Sequence, residues 1–242
     1  MATIILFCAL TIFTSLISSV VRGSPIEISA GDPGTLWPNN PFATLLTFDD
    51  LPNGSLAFYE FAGVSLMGNG AIEANTIPGI SAQPAGDSTR YLTVSYLSPA
   101  GDVLFKFSGQ ENYFGLYWGS MDRYNTITFL NDNVKIASFS GVTVASLTGL
   151  VADGDQHSSL SNRYINFFLG SNAFDEVVLS TTYFGFEVDN IAFGDPSVPM
   201  PEPSTLVLVG SFLCLTFFLP IRRRPHIENR RAGPDADAGS LF

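Results

Sequence analysis

Between residues 43 and 195 the apolar residues come in short runs of period two, and that pattern constrains the fold more than any other feature. In "VLFKF" (103–107), Val103, Phe105 and Phe107 share one face while Lys106 takes the other. A strand sends successive side chains to opposite faces, so this spacing suits a sheet with one side buried. Similar runs follow one another: "ATLLTF" (43–48), "YLTVSY" (91–96), "NYFGLYW" (112–118), "YNTITFL" (124–130), "VKIASF" (134–139), "YINFFL" (164–169), "EVVLS" (176–180) and "YFGFEVDNIAFG" (183–194). Gly, Pro, Asn and Asp punctuate them, as in "DDLPNG" and "LSPAGD", where these residues favour turns for distinct backbone reasons. The pattern predicts an all-β domain over 43–195 with roughly nine or ten short strands, an antiparallel β-sandwich of jelly-roll type.

Details follow from the same reading. Asn131-Asp132-Asn133 predicts a three-residue hairpin loop. In the last run Phe184, Phe186, Val188 and either Asn190 or its neighbours alternate against Gly185, Glu187 and Asp189, which predicts a half-buried strand with an acidic outer edge. Residues 71–89 read as a long insertion-like loop, and 147–163 as another with one helical turn. Residues 24–42, with Pro25, Pro33, Pro38 and Pro41, read as an irregular leader.

The two ends of the chain differ from this middle. Residues 4–21 carry no charge and precede Arg22-Gly23-Ser24, a hydrophobic stretch ending in small residues that reads as a secretory signal peptide over 1–23. Both cysteines, Cys8 and Cys214, lie in the apolar end segments, so the exported middle has none. A domain of this size buries a core large enough to fold without disulfides. The middle holds five basic residues (Arg90, Lys106, Arg123, Lys135, Arg163) against eighteen acidic ones, a formal charge of −13. Such a surface repels phosphate backbones, which excludes nucleic acid as a partner.

Catalytic signals are sparse. His157 is the only histidine of the middle, sits in a polar loop, and has no G-x-S-x-G elbow to serve. One histidine also cannot supply a two-histidine zinc set. The carboxylate pairs Asp49-Asp50, Asp153/Asp155 and Asp175-Glu176 are too close in sequence to face each other across a glycosidase cleft unaided. "DGDQ" and "NDN" are dense in oxygen ligands, though Asp and Asn are also ordinary turn formers. If the first strand ("FDDLPNG") pairs with the last ("FEVDNIAFG"), Asp49 or Asp50 approaches Asp189, and these three become candidate ligands of a structural calcium. The closing "VDNI" resembles the last strand of carbohydrate-binding jelly rolls, in which an acidic residue helps hold such an ion. "YFGLYW" places Tyr113 and Tyr117 on one face and Phe114 and Trp118 on the other. Burial of Trp118 is the favoured reading, and a sugar-stacking platform of Tyr117 and Trp118 is the functional alternative.

The C-terminal segment carries the most specific signal. Residues 196–204 form a proline-rich linker containing Pro201, Glu202 and Pro203, stiff because proline blocks helix. Residues 205–221 are 17 residues without a charge. As a helix they would span about 25 Å, the short end for a bilayer core. Arg222, Arg223 and Arg224 follow and orient the span with its C-terminal side in the cytoplasm. Pro-Glu-Pro, a short span and an arginine cluster together resemble the PEP-CTERM sorting signal of Gram-negative bacteria. The strings "TFDDLPNG", "LYWGSMDRYNTITF" and "FEVDNIAFG" are also similar to the β-sandwich surface proteins that carry it. The resemblance implies an exosortase as processing partner, passage through the inner membrane, and delivery to the cell surface or extracellular matrix. The chain departs from the pattern in its tail, residues 222–242, which continues well past the arginines. The reading is a non-enzymatic exported protein sorted to the cell surface or extracellular matrix, with binding of exopolysaccharide as a second hypothesis. A secreted glycosidase or lyase, and a permanently anchored adhesin, are the alternatives.

Overall fold

The computed structural model describes residues 25–195 apart from 39, 42 and 97. The signal peptide, the Pro201-Glu202-Pro203 motif, the apolar span, the cluster Arg222, Arg223 and Arg224, and the tail lie outside the described residues. Among the described residues no helix is long and apolar enough to cross a membrane.

The chain forms β1 (Glu27–Ala30), β2 (Thr44–Leu46), β3 (Gly54–Ser55), β4 (Phe58–Phe61), β5 (Val64–Gly68), β6 (Gly70–Glu73), β7 (Tyr91–Val94), β8 (Gly101–Glu111), β9 (Tyr113–Gly119), β10 (Asn125–Asn131), β11 (Val134–Ser140), α1 (Gly141–Thr148), β12 (Arg163–Phe168), β13 (Phe174–Thr181) and β14 (Phe186–Gly194). Two antiparallel sheets stack as a sandwich. One runs β1-β12-β9-β14-β7-β6-β3, with β2 also on β14; the other runs β11-β10-β13-β8-β5-β4. Period two dictates the core between them. Val103, Phe105 and Phe107 point inward, while Lys106 stands outside and pairs with Glu176 on β13 at 2.5 Å. Across the sheets Phe105 meets Phe114 edge-on with ring centres 6.0 Å apart, and Phe129 meets Phe167 at 5.4 Å.

Several local expectations are corrected. The leader is not wholly irregular, since β1 pairs β12 from Glu27↔Phe168 to Ala30↔Ile165. Residues 71–73 are not loop: they belong to β6, buried between β3 and β7. The hairpin turn has two residues rather than three, because Asn131 pairs with Val134 and both Asp132 (φ 49°) and Asn133 (φ 64°) take the left-handed conformation. The helix α1 was hidden by Val142, Thr143 and Val144, whose branched side chains favour strands. Its ends are nonetheless well made: Ser140 Oγ accepts from the Thr143 N–H at 3.2 Å, and Gly149 closes it at φ 73°.

The largest departure is in β14. Its inward residues are Phe186 and Val188, then Ile191 and Phe193, so the phase jumps across Asp189-Asn190. The register against β9 breaks there, and Asn190 sits at φ 50°. This is a β-bulge, and an asparagine tolerates its left-handed backbone. Asn190 therefore does not continue the inward set. The acidic edge is not exposed either: Glu187 is 2% and Asp189 0% accessible.

Candidate functional site: a carboxylate-lined cleft

The outer face of the larger sheet is buried because the segment between β6 and β7, residues 74–90, folds over it. Its turns are written in the sequence. In Ile77-Pro78-Gly79-Ile80 the Ile80 N–H donates to the Ile77 carbonyl at 3.0 Å and Gly79 takes φ 78°, the Pro-Gly arrangement of a type II turn. Gly86 (φ 81°) bends the chain so that the Asp87 N–H reaches the Pro84 carbonyl at 3.1 Å.

Buried polar groups of the sheet hold this segment down. Glu187 accepts from the Ala82 N–H on Oε1 and from the Ser120 hydroxyl on Oε2, both at 2.9 Å. The Tyr91 hydroxyl donates to the Asn75 carbonyl at 2.9 Å. The Tyr117 hydroxyl donates to the Ala85 carbonyl. Asn162 Oδ1 accepts from Ala85 N–H (3.1 Å) and Ser120 N–H (2.9 Å), while its Nδ2 donates to the carbonyls of Asp155 (2.8 Å) and Ser158 (3.0 Å). This one side chain, 2% exposed, ties three loops together with every hydrogen-bonding group used.

Between those loops lies an open cleft of about 450 Å³. Its walls include Ile80 and Ser81 from the folded-over segment, Asp122 and Tyr124 from the β9–β10 connection, Asp153 from the loop after α1, and Tyr183 from the β13–β14 connection. Glu187 lies beneath it, almost wholly buried, and among the described lining residues there is no Lys or Arg. Asp122 and Asp153 form an isolated antiparallel bridge, and the Gly154 N–H donates to the Met121 carbonyl at 3.0 Å. Gly154 is required twice over: its φ is 74°, and a Cβ there would come within 2.6 Å of Asp122 Oδ1. The Tyr124 hydroxyl donates to Asp122 Oδ2 at 2.7 Å, and its ring meets Tyr183 edge-on at 5.9 Å. Tyr183 leaves 59% of itself in solvent at the rim.

The electrostatics follow from burial next to like charge. Burial pushes the Glu187 carboxyl up to about 7, against the Ala82 and Ser120 hydrogen bonds, and the nearby Asp122 charge adds to the rise. Asp122 is likewise raised, first by burial and then by Asp153. Asp153 is lowered by the Ser161 hydroxyl and the Asp155 N–H that bond it. Burial, then the hydrogen bond to Asp122, raises Tyr124. Perturbed groups gathered in a concave site are the physical mark of a functional region.

The residues singled out from sequence lie elsewhere. Tyr117 (2% exposed) and Trp118 (0%) do not form a stacking platform. Trp118 lies in the inter-sheet core, stacked on Phe186 with ring centres 4.7 Å apart, and Tyr117 is roofed by residues 74–90. β2 does pair with β14, Leu46 opposite Ile191, yet the three proposed calcium ligands are not gathered. Asp49 accepts from the Arg90 N–H at 3.2 Å, Asp50 is exposed, and Asp189 accepts from the Thr89 hydroxyl (3.1 Å) and the Asn190 N–H (2.7 Å). Burial, with Asp87 beside it, pushes Asp189 up to about 8. Among the described residues no group of three or more His, Cys, Asp or Glu is placed to hold a metal ion. His157 is exposed in its loop.

Sequence reading missed Glu187, Asp122, Tyr124, Tyr183 and Asn162 as a group. The Pro-Gly turn at 78–79 was the one local sign that the covering segment is shaped. No protein-family model matches the chain, and no curated protein matches it.

Proposed function

We propose that this protein is an exported, non-enzymatic β-sandwich of the cell surface or extracellular matrix, and that it holds a polysaccharide in the cleft rimmed by Tyr183. The observation that carries this reading is the cleft itself. An exposed tyrosine ring stands beside carboxylates, hydroxyls and an amide in an open groove without cations. A sugar needs that pairing, because its C–H faces stack on rings while its hydroxyls need acceptors and donors. Export and sorting rest on the chain's ends. The apolar N-terminus, Pro201-Glu202-Pro203, the uncharged span and Arg222, Arg223 and Arg224 support handling by an exosortase at the inner membrane.

The enzymatic alternative draws on Glu187 and Asp122 lining one cleft. Binding is favoured over hydrolysis because both Glu187 oxygens are engaged by protein donors and the side chain is closed off from solvent. Retention on native exopolysaccharide tests the reading: the wild-type protein should be retained and Tyr183→Ala retained more weakly. Equal retention of the two proteins removes the cleft from the proposal. Release of reducing ends or of unsaturated products from that polysaccharide would establish an enzyme instead. Mass spectrometry of the mature C-terminus tests sorting, and an intact chain to Phe242 in an exosortase-competent host contradicts it.

A further inference from the structure

A second groove, about 530 Å³, opens on the outer face of the larger sheet at its β1–β12 edge, next to the leader. Its floor is made by Ser29 and Asn166, which are direct cross-strand partners, and by Tyr164 on the same strand. Its wall is made by Asp32, Thr35 and Trp37.

Sequence builds this wall deliberately. In Asp32-Pro33-Gly34-Thr35 the Thr35 N–H donates to the Asp32 carbonyl at 3.0 Å and Gly34 takes φ 82°, a second Pro-Gly type II turn. The Gly31 N–H bonds the Tyr164 carbonyl at 2.8 Å, and Arg163 Nη1 donates to the Gly31 carbonyl at 3.0 Å, so the turn is fastened to β12. Pro38 then restricts Trp37 to extended backbone. An indole fixed in this way and left 45% exposed is unusual, since tryptophan is the residue whose burial gains most area.

The polar groups around it are of both kinds. Asn166 lines the groove and accepts the Tyr113 hydroxyl on Oδ1 at 2.8 Å, so the donor end of its amide, the NH₂, is the end left for a ligand. Ser29 and Thr35 bring hydroxyls, and Asp32 is an exposed acceptor. Among the described lining residues there is no Lys or Arg; the Arg163 guanidinium, behind the Gly31 carbonyl, is spent on the Gly31 and Ser159 carbonyls, and the charged side chain that lines the groove is the Asp32 carboxylate, which disfavours an anionic ligand.

We infer that this groove is a second polysaccharide subsite, in which a neutral hexose ring stacks on Trp37 and is hydrogen-bonded by Asn166 and Asp32. The inference rests on the reading of the protein as a polysaccharide binder and adds a site and a ligand class to it. Two grooves on separate loops would let one chain, or two, be held at once.

The protein carries its own reporter. It has two tryptophans, and Trp118 is wholly buried, so any change in accessible tryptophan reads Trp37. The full-length protein is titrated with laminarin, dextran and hydroxyethylcellulose as neutral probes and with alginate as the anionic one. At least one neutral polymer should blue-shift the emission and protect it from acrylamide, and alginate should do neither. Trp37→Ala should weaken binding of that polymer about tenfold, while Trp37→Phe, which keeps a ring, loses less. Tyr183→Ala should leave the Trp37 response in place. The inference is overturned if the polymer binds without protecting Trp37, if Trp37→Ala binds as the wild type does, or if alginate protects equally well. Binding that is lost in Tyr183→Ala and kept in Trp37→Ala defeats this inference and leaves the cleft standing. Failure of every polymer to bind overturns both readings.

Discussion

The two faces of the larger sheet are both buried, by opposite means. The inner face meets the second sheet with Phe114, Leu116, Trp118, Phe186 and Val188. It is dry, aromatic and held by packing. The outer face, from the same strands, carries Tyr113, Tyr117, Glu187 and Asp189, and is covered by loops rather than by a sheet. Its cohesion comes from hydrogen bonds that each need a specific partner. The inner face tolerates any side chain of the right volume, while the outer face depends on individual atoms. Clefts arise at its margins because a loop cannot cover a sheet as continuously as another sheet does.

The sharpest way to break this contrast is in the core. Phe114→Ala removes a fully buried ring that meets Phe105, Phe107, Phe129 and Phe174. It should cost about 3–5 kcal/mol in denaturant unfolding, with the whole cooperative transition moved to lower denaturant. A loss under about 1 kcal/mol would mean that the inter-sheet core is not what holds the domain together.

On the other face Asn162→Ala leaves two backbone donors and two carbonyls without their partner. We expect a loss of about 2–4 kcal/mol, since each stranded buried group costs roughly 1–3 kcal/mol unless water reaches it. Hydrogen exchange should accelerate in residues 74–90 and 153–160 before it does in β9. Uniform acceleration would show that the loops are not a separate hydrogen-bonded layer.

Charge sharpens the comparison further. The Glu187 and Asp189 carboxyls are raised to about 7 and about 8 from ordinary values of 4.5 and 3.8. The folded state therefore holds protons that the unfolded chain has released. Their stabilising contribution is full below about pH 4 and falls as pH rises through 7 and 8. The unfolding free energy should be higher at pH 5 than at pH 8.5. Asp189→Asn, which mimics the neutral group, should flatten that slope. A wild-type profile that is level or rises with pH contradicts the buried acidic layer.

The smallest effect is expected from Tyr117→Phe, which removes one hydroxyl from the Ala85 carbonyl and keeps the ring. About 1 kcal/mol is anticipated. Its value lies in the ratio: deleting the Tyr117 ring as Ala should cost several times more if packing still dominates beneath the loop.

Legibility from sequence follows the same division. Phe105 and Lys106 could be assigned to opposite faces from their spacing alone, because the backbone of a strand enforces the alternation whatever surrounds it. The same rule placed Glu187 and Asp189 opposite Phe186 and Val188, and this is where they lie. It could not tell that their side of the sheet would be roofed, since that depends on residues 74–90, about a hundred positions away. The bulge at Asn190 was likewise invisible, being settled by how β14 must pair with both β9 and β2. Of the candidate sites, Trp118 and Tyr117 looked suited to a ligand by type and were taken by the interior. Tyr183, Asp122 and Glu187 were unremarkable in sequence and were brought together by loops meeting at one end of the sandwich.

The sequence alone thus determined the all-β class and the inward set of Phe and Val side chains, because these are properties of local backbone geometry. Only the tertiary structure decided which polar face was covered, which carboxyls were buried, and which tyrosine and tryptophan stayed in solvent. Burial is a relation between segments distant in the chain, and no local pattern of residues encodes it.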